Sequence, residues 1–305
     1  MTSPPASILV SSVRAVASDK TPSSIAYQMT IISGCGAMIT DNMPVIEVLS
    51  IGTELTLGRI QDTNSHWIAG QVAQLGGRVR RITVVRDSKP EIISAFRETV
   101  QRKTDIIIST GGLGPTPDDV TIECLASLLG VCTSMHEPTL QDYMRRRNLS
   151  SRDELTPNLL RMATVPDGTE VLPNPVGWAP CVSASLDGAR IFVLPGPPRE
   201  MESLFSLYVG QHISENFAVR AASQRVLVNM YESEVSPLMQ SVMSRFPGIY
   251  LKAYVSLRMT ADHQLPIDIV TTGANAAQAK ETLDRALQYF GNLVEEQGKT
   301  MSRQV

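Results

Sequence analysis

Cysteine and histidine are scarce in this 305-residue sequence, with four of each. Cys35, Cys124, Cys132 and Cys181 form no C-x-x-C pair, and no histidine stands at zinc-ligand spacing from them. That argues against a structural zinc and against a disulfide framework, and points to a reducing, cytoplasmic compartment. Carboxylates are plentiful, with 30 Asp and Glu, so any metal is expected to be oxygen-ligated. His66, His136, His212 and His263 stand away from the loops where other candidate residues gather, and they read as surface or packing residues. No apolar run approaches the roughly 20 residues that cross a bilayer. Nor is either sign of charge in excess: 27 Lys and Arg against 30 Asp and Glu leave −3. Nonspecific binding to nucleic acid or to an anionic membrane is therefore not expected. A phosphate-bearing ligand would have to be held locally, by loop amides or a metal.

What is present suffices for a real core. Hydrophobic residues make up 43% and charged residues 19% of the chain. Domains of about 100–200 residues make two the prior. Residues 1–43 stand apart: rich in Ser, Ala, Thr and Pro, charged only at Arg14, Asp19, Lys20 and Asp41, and unpatterned except for Ile8–Val10. They read as a disordered or non-native extension ahead of Met43. A Ser-rich, acid-poor organelle transit segment is the other reading.

From Pro44 the pattern alternates. Val45–Ile51, Val79–Val85 and Asp105–Thr110 read as strands, the last apolar enough to be buried on both faces. Asp62–Leu75 reads as a helix closed by Gly76-Gly77. Ser88-Lys89-Pro90-Glu91 reads as a capping box opening a helix to Arg102, with Ile92, Ile93, Phe96 and Val100 inward. A third helix is expected from Pro117 to Leu129, with Thr116 as its N-cap. This β-α-β-α-β-α order predicts a three-layer α/β fold, a mostly parallel sheet with helices on both faces. Ligands of such sheets bind beyond the carboxyl ends of the strands. Residues 137–163 look helical with a break near Asn148–Asp153. Cys181–Leu186 and Arg190–Leu194 look like a hairpin around Asp187-Gly188. A second pattern follows: strand 225–230, helix 234–246, strands 250–258 and 267–272, helix 275–295. The predicted organisation is an extension (1–43), an α/β domain (44–210) and a small α+β domain (222–298).

Five segments carry candidate chemistry. Gly111-Gly112-Leu113-Gly114-Pro115-Thr116-Pro117-Asp118-Asp119 joins a buried strand to a helix. Its glycines permit a sharp turn and close approach to a ligand, and its amides suit an anion. It is neither a P-loop nor a G-x-G-x-x-G fingerprint. Asp118 and Asp119 read either as complements to the helix dipole or, beside a phosphate cradle, as ligands of Mg²⁺. Asp87, ending the second strand, is a plain loop residue or a partner of Asp119 on the same rim. Glu54 and Asn64 flank the first strand-to-helix turn and could contact a sugar or base, while Asp62, Thr63 and Asn64 are equally N-cap candidates. Asn174-Pro175-Val176-Gly177 and the elbow Leu194-Pro195-Gly196-Pro197-Pro198 read as turns or as ligand contacts.

In order, the segments GTELTLGRIQDTNS, VVRDS, STGGLGPTPDDVT, LPNPVGWAP and LPGPPREME resemble the N-terminal domain of the competence/damage-inducible CinA family. That family lies within the molybdopterin-binding MoaB/Mog-like superfamily. The resemblance runs from about Pro44 to Phe205 and more weakly to about residue 297. It implies the MoaB/Mog-like fold and a homo-oligomer. Asp119 and Asp87 match the superfamily's essential acidic pair, and Asp87, Asp118 and Asp119 would hold a divalent metal, Mg²⁺ or else Co²⁺ or Mn²⁺. Gly111, Gly112, Gly114, Thr116, Glu54, Asn64, Asn174, Gly177 and Gly196 would bind the substrate and its phosphates. The implied activity is metal-dependent hydrolysis of a nucleotide diphosphate linkage, in ADP-ribose or FAD. The alternatives are a non-catalytic molybdopterin- or nucleotide-binding protein, or a molybdopterin adenylyltransferase. The partner in each case is a small-molecule nucleotide or pterin. The nicotinamide-mononucleotide deamidase domain of longer family members has no counterpart here, and that activity is not expected. Trp178 and Cys181 replace smaller residues, and Ser88 stands where a second acid is common.

Overall fold

The computed structural model describes residues 44–217, 220–257 and 264–304. The expectations for residues 1–43, Cys35 included, and for Arg258 and His263 fall outside the described residues.

The chain forms an α/β fold. After β1 (Val45–Ile51) a single helical turn, α1 (Thr53–Thr56), precedes α2 (Thr63–Gln74). Asp62 caps α2 by accepting from the Ser65 amide at 3.0 Å and the Ser65 hydroxyl at 2.6 Å. β2 (Arg78–Val85), α3 (Lys89–Gln101) and β3 (Ile106–Thr110) follow. The capping box expected at Ser88 does not form, because the Ser88 side chain makes no cap hydrogen bond. Glu91 is taken instead by Arg86, whose Nε donates to it at 2.7 Å.

The next helix differs from expectation. α4 runs over Thr121–Leu129, not from Pro117, and ends at left-handed Gly130. Asp119 captures the amide and hydroxyl of Thr116, which folds residues 116–119 into a turn ahead of the helix. Thr116 is therefore not an N-cap, and both aspartates lie outside the helix's first turn.

Beyond α4 come β4 (Thr133–Met135), α5 (Glu137–Arg147), α6 (Pro157–Met162), β5 (Thr164–Pro166) and β6 (Glu170–Leu172). The hairpin β7 (Cys181–Leu186) and β8 (Ala189–Leu194) turns on Asp187 and Gly188, both at positive φ. The Pro197-led helix runs as α7 (Pro198–Leu204), a π-helical turn (Phe205–Val209) and α8 (Gly210–Asn216).

The main sheet has the order β2-β1-β3-β8-β7-β6. Its first four strands are parallel, and β7 and β6 are antiparallel additions. Strand alternation sorts side chains between two cores. Ile46, Val48, Ile106 and Ile108 face Ile68 and Val72 of α2 and Met201 and Leu204 of α7. Leu49, Ile51, Ile107, Ile191 and Val193 face Ile92 and Phe96 of α3 and Leu125 of α4. The parallel strands end on one rim, which therefore collects the loops after β1, β2, β3 and β8.

A separate antiparallel sheet of order β10-β11-β9-β12 is built from β9 (Arg220–Val228), β10 (Tyr250–Ala253), β11 (Leu265–Gly273) and β12 (Met301–Arg303). β10 is shorter than expected: a 3-10 turn over Val255–Leu257 ends it. α9 (Glu232–Arg245) and α10 (Ala276–Glu296) pack on this sheet through Val235, Val242, Leu283, Leu287, Phe290 and Val294. Asn275 caps α10, accepting from the Gln278 amide at 2.9 Å. No helix among the described residues is long and apolar enough to cross a membrane.

Candidate functional site

The rim is knit together by residues that read as turn-formers in sequence. Leaving β1, the Gly52 amide donates to Val85 at 2.9 Å, which ties the first loop to the end of β2. This sets Thr53 beside Asp87. Asp87 Oδ2 accepts from the Thr53 amide at 2.7 Å and from the Thr53 hydroxyl at 2.9 Å, and that hydroxyl accepts from the Asp87 amide at 3.1 Å. Oδ1 of Asp87 has no hydrogen-bond partner among the described residues.

The loop after β3 is pinned differently. The Gly111 amide donates to Leu194 at 3.0 Å, and the Thr121 hydroxyl donates to the Gly111 carbonyl at 3.0 Å. Gly111 holds φ +105, and a Cβ there would overlap the carbonyl oxygen of Ile51. Only glycine fits so tight a turn between β1 and β8. Further on, Asp119 Oδ2 accepts from the Thr116 amide at 2.8 Å and its hydroxyl at 2.5 Å, which leaves Oδ1 free. Asp118 beside it is exposed.

These bonds sort the expected ligand contacts. The amides of Gly111 and Thr116 are spent within the protein. Those of Gly112, Leu113 and Gly114 make no hydrogen bond among the described residues, so the cradle narrows to three. Asn64 donates both amide protons, to Thr110 Oγ1 at 2.9 Å and to the Gly196 carbonyl at 2.7 Å, and keeps its own oxygen free. Gly196 thus serves as an anchor for Asn64 through its carbonyl. The Glu54 carboxylate is exposed and folds over Gly52, within 2.6 Å of where a Cβ would stand.

Asn174 has no capacity left for a ligand. Its amide donates to Ala179 at 2.8 Å and to Glu200 Oε2 at 2.7 Å, and its oxygen accepts from the amides of Val176 and Gly177. An asparagine side chain offers two protons and two lone pairs, and all are used. Asn174 is therefore the hub of its loop, and Gly177 is the gap that lets the Glu200 carboxylate lie against it. Trp178 packs beneath Arg146, 4.2 Å away, and edge-on to Tyr143.

Beside Asp119 lies a cavity of about 90 Å³. Its polar side includes Asp119, Glu123 and Arg161, and its apolar side Ile122, Met162, Val165, Ala179 and Val182. Trp178, Cys181 and Asp87 do not line it. Arg161 donates to the Asp119 carbonyl at 2.5 Å and approaches Glu123 at 3.4 Å. Nucleophilic thiols are not on offer here: Cys181 is buried, and burial pushes the Cys124 thiol up to about 11. His136 makes a 2.8 Å bond to Thr139 and His212 packs on the Phe192 ring, both held below the ordinary histidine value by burial.

Among the described residues no three His, Cys, Asp or Glu side chains stand together as a metal-ligand set. Asp87, Asp118 and Asp119 therefore form no three-carboxylate cage. The free Oδ1 atoms of Asp87 and Asp119 are hard oxygen donors on one rim. Either suits a cation that takes most of its ligands from water and phosphate, the usual habit of Mg²⁺.

Sequence reasoning passed over Thr53, Glu200 and Arg161. The first two lie inside the segments already singled out. Arg161 gave no local signal, because it returns to Asp119 from 42 residues away.

A mostly parallel sheet with glycine-rich loops on its carboxyl rim defines a ligand-binding α/β domain. Residues 47–214 match the family described as "Probable molybdopterin binding domain". A protein of Pyrobaculum calidifontis is 36% identical over 254 residues, covering 83% of this chain and 96% of that one. A CinA-like protein of Anaeromyxobacter dehalogenans is 34% identical over 256 residues; the match spans 83% of this chain and 62% of that longer protein. The crystal structure of the protein CinA from Thermoplasma acidophilum, described as of unknown function, superposes with a TM-score of 0.52 at 35% identity. It covers 56% of this chain and 99% of its own. The chain belongs to this molybdopterin-binding domain family, within which it is similar to CinA.

Proposed function

We propose that the chain hydrolyses the diphosphate linkage of a nucleotide, ADP-ribose or FAD, with a divalent cation. The observation that carries this reading is the matched pair Asp87 and Asp119. Each is oriented through Oδ2 by a threonine and presents Oδ1 at the same rim. Their strands flank β1, so the strand ends stand two interstrand spacings apart, roughly 10 Å. A diphosphate chain with its cation suits that arrangement better than an ion ligated directly by both. Three unpaired amides at Gly112, Leu113 and Gly114 would take phosphate oxygens, and the Asn64 oxygen would accept from a sugar hydroxyl. A bound cation would supply charge neutralisation and an acidified water. Asp87 and Asp119 would orient that water and its proton. The apolar side of the cavity beside Asp119 would shield the reaction from bulk solvent.

The same amides and carboxylates would also serve a second reading, in which the site binds a nucleotide or pterin without turnover. The test is incubation of the chain with ADP-ribose and FAD in Mg²⁺, Mn²⁺ or Co²⁺. Metal-dependent AMP release that vanishes in Asp119→Asn supports hydrolysis. Stoichiometric binding with no product over many equivalents refutes it. ATP-dependent transfer to a pterin acceptor would instead mark an adenylyltransferase.

A further inference from the structure

On the small antiparallel sheet's helices, α9 and α10 border an open cleft of about 220 Å³ lined by Arg245, Phe246, Arg285, Gln288, Tyr289 and Asn292. Four of these sit on α10 at spacings of three, four and seven from Arg285, which is one helix face. The opposite face of α10 is core, with Leu283, Leu287, Phe290 and Val294 buried. Arg245 closes the last turn of α9. Its guanidinium lies 4.7 Å from the Tyr289 ring, and that of Arg285 lies 5.9 Å from Phe246. The two rings are 6.0 Å apart and tilted, so aromatic faces hold both cations toward one cleft. Tyr289 is itself fixed by a 3.1 Å bond to Ser241.

Neither arginine enters an ion pair among the described residues. No carboxylate lines the cleft: Glu281 and Asp284 of the same helix are absent from its walls. Two stacked guanidiniums plus two side-chain amides form a donor set without an acceptor anion. Stacking on the rings removes part of the ordering cost that flexible cations otherwise meet on binding. We propose that this cleft is a second ligand site, one that takes the phosphate group of a small phosphorylated molecule. Two positive charges match a phosphate dianion, whereas a carboxylate would neutralise only one. The chain's net charge of −3 gives no general attraction for anions, so affinity here would be local to these side chains.

The test is equilibrium dialysis of the full chain against radiolabelled inorganic phosphate in chelator, so that no cation assists the rim site. Arg245→Gln/Arg285→Gln should weaken binding about tenfold or more with an unchanged circular dichroism spectrum. Each single variant should lose part of the affinity, and Lys280→Gln, which removes a positive charge outside the cleft, should lose none. Acetate at equal concentration should not displace the phosphate. Wild-type affinity in the double variant, no wild-type binding at millimolar phosphate, or equal displacement by acetate would each overturn the proposal.

Discussion

Thr53 and Asp87, 34 residues apart, clasp each other through three hydrogen bonds in which the threonine hydroxyl both donates and accepts. The clasp joins the loops after β1 and β2 and leaves one carboxylate oxygen facing the rim. Thr53→Ala keeps the amide bond but deletes the two that run through the hydroxyl. The carboxylate is then free to rotate. The apparent metal affinity, read from turnover against cation concentration, should fall about 10- to 100-fold, as on removing the support of a ligand. Thr53→Ser should restore it. Equal metal dependence in Thr53→Ala and wild type would show that the orientation of Asp87 is irrelevant to the chemistry.

Gly111 and Gly114 separate backbone strain from site damage. At Gly111 a Cβ meets main chain, the Ile51 carbonyl, at positive φ. Gly111→Ala should therefore destabilise the fold by about 1–3 kcal/mol, seen as a lower urea midpoint. At Gly114 a Cβ would come within 2.6 Å of Asp119 Oδ2, a side-chain atom that can move aside. Gly114→Ala should leave the urea midpoint near wild type while breaking the Asp119–Thr116 bonds and lowering turnover. The reverse pattern would refute this division of roles.

The elements with strong local signals were legible from sequence. Apolar runs at β1 and β3 and the Asp187-Gly188 turn each state their structure within a few residues. The start of α4 was not, because Thr116 looks like a helix cap until Asp119 turns back onto it. Short pairings such as β4 with β5 and β12 with β9 were also unreadable. Three-residue strands have no period to detect, and their partners lie far along the chain. At the site, residue types in the loops were readable but their unused valences were not. Asn64 and Asn174 look alike in sequence, yet one keeps a free oxygen and the other is saturated.

Asn174 and Glu200 form a buried amide–carboxylate contact, and its polarity can be tested by exchange. Asn174→Asp sets two carboxylates face to face at the former 2.7 Å contact and should lower stability at neutral pH by about 1–3 kcal/mol. Glu200→Gln retains an acceptor oxygen and should change stability little. The double variant Asn174→Asp/Glu200→Gln rebuilds the contact with residue 200, donor and acceptor reversed, but leaves the Ala179 carbonyl without its donor, so only part of the loss should return. Additive effects in this thermal-unfolding cycle would mean that the two side chains are not coupled.

Glu47 is the one fully buried carboxylate of β1. It accepts from Arg80 Nε at 2.9 Å and from Arg102 at 2.7 Å. A bulge in the β1–β2 register at Ile46/Glu47 marks the same place. Burial acts to raise its pKa, but the hydrogen bonds from Arg102 and Arg80, with their charges, outweigh it. The carboxyl is left below the ordinary value of 4.5. A carboxyl depressed in the folded state binds its proton more readily when unfolded. Its contribution is therefore complete above 4.5 and is lost as pH falls through the lower folded value. Glu47→Gln leaves two partly exposed guanidiniums without their anion and should cost about 2–3 kcal/mol at pH 7. Because the variant has no carboxyl to titrate there, its urea midpoint should approach that of wild type as pH drops below 4.5. A gap between the two proteins that stays constant from pH 7 into that acid range would show that the charge of Glu47 contributes nothing and that only its shape matters.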